Sequence, residues 1–415
     1  MQPLRGTKDI LPSDVTVWQY IYQTTLEILS LCSYQEIRTP IIESNSLFQR
    51  SIGNATDIVN KEMYTFMDQG ERRIALRPEG TASIARSFIS NKLYQDSKVK
   101  RLWYFGPMFR YERPQNGRQR QFHQLGIECI GSIDPIADTE VIRLANKILH
   151  KLGCSSYKIE INSIGNTEER FTYKQALIEY LLKYEKDLDK ESRKRLEINP
   201  FRILDSKNKK TQEILNDAPR LNDYLNTESL NHFDAVCENL NYLNIEYSIN
   251  NKLVRGLDYY NYTAFEMKSK ELGSQDTICG GGRYDKLIKQ LGGPDTPAVG
   301  WAIGIERLLL VIQNTVKTNK KINQTYIATQ GSNAKQRVWD IIHLLEKEKI
   351  SFELDLSNSK LIKQIKKAYK SEAKICLILG DKETANENIT LKWLNENHQE
   401  TISIANLIQK LRDVL

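Results

Sequence analysis

Thirty-one residues, Arg101 to Gly131 (RLWYFGPMFRYERPQNGRQRQFHQLGIECIG), limit what this chain can fold into more than any other stretch. Leu102 to Glu112 and Phe122 to Ile130 alternate like strands, and the nine residues between them are almost entirely polar, with three arginines. An antiparallel hairpin with a basic loop is predicted. The period of two puts Met108, Arg110 and Glu112 on one face, and Trp103, Phe105, Phe109 and Tyr111 on the other. In the returning strand Gln124, Gly126 and Glu128 share a face opposite Leu125, Ile127 and Cys129. A solvated sheet face would account for the separated charges alone. Gly126 asks for more, because glycine weakens a strand interior and marks a close approach to the backbone. Arg113, Arg118 and Arg120 lie past the strand ends, where guanidinium groups can close over a polyphosphate. A nucleotide on the polar face satisfies both observations.

The run FRYE (Phe109 to Glu112), the basic loop and RQFHQLGIE together resemble motif 2 of class II aminoacyl-tRNA synthetases, and are similar in particular to the histidyl-tRNA synthetase version. Whether the rest of such a protein is present is then a question for the remaining sequence.

At 415 residues, 40% of them hydrophobic, the chain has enough apolar material for two or three cores. No run approaches the length of a membrane span, and the start MQPLRGTKDILPSD lacks the apolar centre of a signal peptide, so a cytoplasmic protein is expected. Six cysteines (Cys32, Cys129, Cys154, Cys237, Cys279, Cys376) form no CxxC pair, and the five histidines are dispersed. Buried free thiols are expected, with no disulfide framework and no tightly bound structural metal. A net charge of +7 permits an anionic partner without requiring one.

From the N-terminus, RGTKDILP leads into a predicted helix from Val15 to Cys32 with Val17, Ile21, Leu26 and Leu29 inward. EIRTPIIES then reads as a strand ending near Pro40, an arrangement that resembles class II motif 1. MYTFMD and RRIALR read as two strands about the turn Gln69-Gly70-Glu71. Arg77 to Thr81 (RPEGT) leads into a helix from Ala82 to about Tyr94, with Thr81 placed to cap it. Capping alone would explain Glu79 and Thr81; RPEGT is also similar to the family segment that holds the ammonium of the bound amino acid. Asn54 stands where the family often has an acidic residue and is given no role.

Beyond the hairpin a helix (Asp134 to Leu152) and a strand (Ser156 to Ile161) precede a change of composition. From Thr167 to Leu225 the chain is rich in Lys, Glu, Asn and Leu with helical periodicity, and reads as an inserted helical module. Its NPFRILDSKNKK, Asn199 to Lys210, resembles a segment of the insertion domain of bacterial histidyl-tRNA synthetases; its lysines suit either a solvated surface or a tRNA backbone. LVRGLDYYNYTAFE, from Leu253, resembles the first of two histidine-specific motifs. Alternation from Arg255 would align it with Leu257, Tyr259 and Asn261, unless Gly256 disturbs the phase. Alternation favours Tyr259 and the family implicates the tyrosine pair, so Tyr259 and Tyr260 both stay open; Tyr262 occupies a place that is often basic. CGGGRYD, Cys279 to Asp285, matches the second motif, its glycines stripping side chains from a strand end. AVGWAIGIERLLL, Ala298 to Leu310, reads as strand into helix in the motif 3 arrangement, with Arg307 near the helix start where its charge can meet ATP phosphates. A GxxxxGK[ST] loop, a GxGxxG after a strand and an HIGH sequence are all missing.

After a polar linker, TYIATQ, a helix across Ala334 to Lys349, SFELDL, a helix from Ser359 to Lys370, AKICLILG, ITLKWL and a last helix from Ile402 alternate as an α/β module. Leu361, Ile365, Ala368 and Tyr369 form an apolar stripe, with Lys360, Lys363, Lys366, Lys367 and Lys370 around the remainder. The order of elements and LILGDKE resemble the anticodon-binding domain of histidyl-type synthetases, which would direct those lysines to phosphates.

The resemblance implies an α+β protein: a class II antiparallel-sheet catalytic core (1–165 and 251–316), a helical insertion (166–250), a linker (317–324) and a C-terminal α/β anticodon-binding domain (325–415). It implies ligation of L-histidine to tRNA(His) at the expense of ATP with Mg2+, through histidyl-adenylate, by a homodimer joined through motif 1. Arg110 and Arg255 would stabilise the α-phosphoryl group, Arg118 and Arg307 the pyrophosphate, Glu112 the adenine and Arg113 the triphosphate. Glu79, Thr81 and Gln124 would hold the substrate ammonium, and Glu128 with Tyr259 or Tyr260 the imidazole. The alternative is a non-catalytic, histidine-binding regulatory paralogue; such proteins lose parts of the histidine motifs and the anticodon module, and Arg255, GGGRY and a C-terminal α/β pattern are all here. A tRNA-binding protein without chemistry would leave the ordered polar face unexplained.

Overall fold

The central hairpin forms as its periodicity requires: Lys100–Phe109 and Gln121–Ile130 pair antiparallel from Lys100 opposite Ile130 to Phe109 opposite Gln121. The computed structural model describes every residue except 54–55, 97, 155, 205, 274–275, 314, 317–323, 397 and 415. Asn54 and nearly all of the expected linker therefore lie outside the described residues. Two compact units, Met1–Thr318 and Asn319–Leu415, make up the chain.

In the first unit the hairpin sits within an eight-stranded sheet. The order is Gln35–Glu36, Lys100–Phe109, Gln121–Ile130, Ala298–Gly304, Thr277–Arg283, Asn261–Lys268, Lys158–Ser163 and Ser248–Ile249, antiparallel except where the two short edge strands pair in parallel. One face carries Trp103, Leu125, Ile127 and Cys129 into a core with the helices Pro12–Ser30, Pro135–Lys151 and Thr227–Tyr242. The other face is not solvated. Leu102, Tyr104 and Met108 pack there with Ile84, Ala85 and Phe88 of the helix Thr81–Ser90 and with Tyr259, Tyr260 and Tyr284.

Gly126 answers to a neighbour within the protein. Tyr104 stands opposite it across the hairpin, and its ring fills the space a Cβ would take at both Gly126 and Gly80. The close approach read from the sequence is thus a tyrosine ring. Likewise EIRTPIIES is no single strand: Gln35–Glu36 joins the large sheet, and Ile42–Ser44 joins a three-stranded sheet with Arg73–Leu76 and Thr65–Met67. Pro40, which has no N–H to give a ladder, lies between the two. Buried Arg77 ties the two sheets, donating from Nε to the Pro107 carbonyl (2.9 Å) and from Nη1 to that of Thr39 (2.9 Å).

The helical segment is only partly a separate layer. Asn166 and Glu169 form a capping box at the start of Thr167–Leu182, and Glu169 also accepts from Asn226 N (2.5 Å) and Ser229 Oγ (2.7 Å). Its last helix, Thr227–Tyr242, sends Phe233, Val236 and Leu240 into the main core.

The second unit is a five-stranded sheet, ordered Phe352–Leu354, Thr325–Gln330, Ile375–Gly380, Asn388–Trp393 and His398–Ser403, with the helices Ser332–Lys347, Leu361–Lys370 and Leu407–Val414. The last helix starts at Leu407 and not at Ile402, and the strand His398–Ser403, which was not expected, precedes it. In Leu361–Lys370 the buried positions are Gln364 and Ala368, whereas Tyr369 of the expected stripe is half exposed. Gln364 is buried because both ends of its amide pair with Thr329, accepting from its N–H (2.9 Å) and donating to its carbonyl (2.8 Å).

Candidate active site

A cavity of about 610 Å³ opens on the tyrosine-bearing face of the large sheet. Of the residues singled out from sequence, Glu79, Thr81, Arg110, Glu112, Arg118, Gln124, Arg255, Tyr259, Tyr260 and Arg307 all line it. Arg113 does not; the chain leaves the strand at Phe109, alternation no longer aims its side chain, and Arg113 is exposed. Arg120 stacks on Tyr111, its guanidinium carbon 3.9 Å from the ring centre.

One end of the cavity is built from buried hydroxyls and carboxyls. Glu79 accepts the N–H groups of Thr81 and Ala82, each at 2.8 Å, so it is Glu79 that caps the helix Thr81–Ser90, and Thr81 is the first helical residue. Thr81 donates from Oγ1 to Glu128 Oε1 (2.7 Å), and Tyr284 donates its hydroxyl to Oε2. Glu128 therefore stands one hydroxyl behind the cavity wall, in space left by the missing side chain of Gly300 on the adjoining strand. Burial outweighs these two donors and pushes its carboxyl up to about 8. Burial also raises Glu79, against the pull of the N–H groups it accepts. The Tyr259 hydroxyl and Gln124 Oε1 are buried and meet no hydrogen-bond partner among the described residues. Because these two lie in the cavity wall, they are available to a ligand's polar groups.

The other end is cationic. Arg110 donates from Nε to the Pro78 carbonyl (2.8 Å), stacks 5.2 Å from the Phe122 ring and faces Glu112 at 3.9 Å. Arg118 pairs with Glu112 at 2.9 Å. Arg307 donates from Nη1 to the Thr277 carbonyl (3.0 Å), and burial lowers its pKa, helped by the charges of Arg118 and Arg110. The next residue toward the N-terminus, Glu306, accepts from His123 N (2.9 Å) and contacts its Nδ1 (2.9 Å), which fixes the start of the helix Ile305–Ile312 against the hairpin. Arg255 is ion-paired to Glu266, lies 5.5 Å from the Tyr260 ring and packs over Gly280, where a side chain would displace it. Arg110, Arg118 and Arg307, near enough for the first two to lower the pKa of the third, favour an anion between them.

Residues 253–260 are irregular and the strand starts only at Asn261, so alternation does not govern Arg255, Tyr259 and Tyr260. The phase then breaks again at a bulge, with Tyr262 at φ 49°. Both tyrosines reach the cavity regardless, their rings 4.6 Å apart.

Comparison with known proteins places nearly the whole chain in one family. Residues 6–308 match the histidyl-tRNA synthetase family model, and residues 324–414 match the anticodon binding domain model. The chain belongs to the histidyl-tRNA synthetase family. Among its relatives, a chloroplastic histidine–tRNA ligase of Gracilaria tenuistipitata var. liui is 63% identical over 99% of this chain and 98% of its own. A histidine–tRNA ligase of the cyanobacterium Rippkaea orientalis is 51% identical over 100% and 96%. The apo histidyl-tRNA synthetase structure from S. aureus superposes with a TM-score of 0.82 at 35% identity, covering 99% of this chain and 100% of that one. A Bacillus halodurans structure described as an ATP phosphoribosyltransferase regulatory subunit/histidyl-tRNA synthetase shares the fold, with a TM-score of 0.66, 24% identity and coverage of 92% and 98%.

Within this synthetase fold the cavity also contains residues that the sequence reading passed over: Glu62, Arg195, Arg202, Glu266 and Lys268. Glu266 and Lys268 were detectable, since Phe265 and Met267 face the main core and alternation turns Glu266 and Lys268 the other way. Arg195 and Arg202 come from the helical segment, Arg202 pairing with Asp57 at 3.3 Å, and no local pattern announces them.

Proposed function

We propose that this cavity is where L-histidine is activated by ATP and passed to tRNA(His), with the buried hydroxyl end taking the amino acid and the arginine end the nucleotide. The chain is a histidine–tRNA ligase, as its full-length relatives at 51–63% identity are named. The single observation that carries the assignment of the two ends is their contrast within one cavity: buried Tyr259 Oη and Gln124 Oε1 lacking partners at one, converging Arg110, Arg118 and Arg307 at the other.

In the first step the histidine carboxylate attacks the α-phosphorus, forming an acyl phosphate bond while the bond to pyrophosphate breaks. Arg110 and Arg255 stabilise charge on the α-phosphoryl oxygens. Arg255 leaves Glu266 in part to do so. Arg118 and Arg307 hold the leaving pyrophosphate, and Mg2+ arrives with the triphosphate as substrate. Glu112 contacts adenine; Arg113 reaches the triphosphate only through movement of its loop. In the second step a ribose hydroxyl of the terminal adenosine attacks the acyl carbon and AMP departs.

Glu79, Thr81 and Gln124 receive the substrate ammonium, for which Gln124 Oε1 is a ready acceptor. The unsatisfied hydroxyl favours Tyr259 over Tyr260 as the tyrosine that meets the imidazole, because the Tyr260 ring lies beside Arg255. Glu128 accepts an imidazole N–H by exchanging it for the Thr81 hydroxyl. An analogue lacking that N–H would leave buried groups unpaired, which is a strong basis for rejection.

The C-terminal unit binds the tRNA anticodon arm, and a homodimer through the motif 1 region is the expected assembly. No described helix is long and apolar enough to cross a membrane. Cytoplasm and plastid are both settings for such an enzyme, the latter because of the chloroplastic relatives. Exchange of labelled pyrophosphate into ATP, run with each of the twenty amino acids, tests the reading: histidine alone should support it. Histidine binding without exchange would instead make the protein a regulatory paralogue.

A further inference from the structure

We infer that Arg170, on the first helix of the helical segment, is a positioning residue for the histidine end of the cavity, and that the segment thereby sets histidine affinity. This rests on the reading of Tyr259 and Tyr260 as the amino-acid wall.

Arg170 lies on Thr167–Leu182 and reaches across to the irregular loop 253–260. Its Nη1 donates to the carbonyls of Tyr260 (2.6 Å) and Asp258 (3.3 Å), and its guanidinium sits 5.5 Å from the Phe201 ring. The two carbonyls bracket Tyr259. A loop outside any sheet ladder has few bonds to fix its backbone, so a charged donor shared between residues 258 and 260 determines where the intervening side chain points. Asn199 of the same segment adds a second hold, donating Nδ2 to Asp258 Oδ1 at 3.3 Å. Among the described residues, one further backbone bond reaches this turn from outside the segment, from Asp258 N to the carbonyl of Ile52 at the end of the helix Asn45–Ile52, at 3.3 Å. Arg170 itself does not line the cavity. Its effect on catalysis must therefore pass through the loop, and it falls on Tyr259, which the two bonds flank, before Arg255, three residues ahead of Asp258.

The test compares Arg170→Met, which keeps the aliphatic stem and removes the donor, with Arg170→Lys, which keeps one charged donor. Pyrophosphate exchange is measured at varied histidine and at varied ATP, alongside thermal unfolding. Loss of one well-placed group in a recognition site shifts KM by about tenfold. Arg170→Met should raise the histidine KM by about that factor and leave the ATP KM within about twofold, with Arg170→Lys between it and the wild type. A merely structural role would lower the unfolding temperature and move both constants together, which would overturn the inference, as would an unchanged histidine KM in Arg170→Met. If Arg170→Met does not fold, Arg170→Lys decides by the same split. Absence of histidine-dependent exchange in the wild type would instead remove the underlying reading of the site.

Discussion

The two ends of the cavity solve different problems with different chemistry. Around Glu128 the protein buries Thr81, Tyr259, Tyr260 and Tyr284 and keeps formal charge low, the carboxyl itself being pushed up to about 8. Around Arg307 it sets cation against cation, with Glu112 the shared counter-charge of Arg110 and Arg118. Buried neutral donors and acceptors discriminate, since a wrong partner leaves them unpaired. Clustered guanidinium groups accelerate, since they match charge that grows in the transition state. Selectivity and rate should therefore be separable by mutation, and the following substitutions test that from the largest effect down.

Arg255→Ala should reduce histidine-dependent exchange about 10²- to 10³-fold in kcat, the usual loss when one preorganised charge donor is removed. It would leave Glu266 with Lys268 (3.4 Å) and the Thr277 hydroxyl (3.1 Å) as its partners, so Arg255→Ala/Glu266→Gln should unfold no earlier than Arg255→Ala while staying as inactive; near-normal exchange in either variant would break the contrast at its charged end. Arg307→Ala should act mainly through the nucleotide, raising the ATP KM roughly 10- to 100-fold with the histidine KM little changed, as steady-state exchange would show. Glu128→Gln should do the reverse, with about a tenfold rise in histidine KM and ATP binding intact.

Glu128→Gln also carries a pH prediction. The folded protein holds on Glu128 a proton that the unfolded chain releases near its ordinary value of 4.5, so this group's favourable contribution is complete below that pH and is lost as pH rises toward about 8. Unfolding temperatures measured without substrates should fall less steeply over that window in Glu128→Gln than in the wild type. The smallest effect is expected from Tyr259→Phe, a rise of a few-fold in histidine KM, because a hydroxyl that lacks a protein partner contributes only through the ligand. Equal effects on ATP would erase the distinction between the two ends.

The hairpin and most site residues were legible because their signal is local. Alternation in Gln121–Ile130 placed Gln124 and Glu128 on one face, and Ala298–Gly304 runs directly into the helix that bears Arg307. Legibility ended where tertiary contacts decide. Arg255 and Tyr259 sit on a loop that follows no period, and its path depends on Arg170, Asn199 and Ile52, remote in sequence. Gly126 carried a true signal of crowding, but the sequence does not say whether a ligand or Tyr104 does the crowding. In the second unit, His398–Ser403 is an edge strand with no fully buried side chain, so it lacks the apolar alternation that marks a half-buried strand.

The anchoring of Thr227–Tyr242 in the main core bears on how a shorter version of this enzyme could be engineered. Excision of everything between the two halves of the large sheet would tear out Phe233, Val236 and Leu240, whereas a splice near Asn226 would keep them. Such a splice severs the link from Glu169 to Asn226 N and Ser229 Oγ, so a trimmed chain must keep Asn226 itself, whose Oδ1 caps the helix by accepting Ser229 N (2.9 Å), to serve as a minimal scaffold.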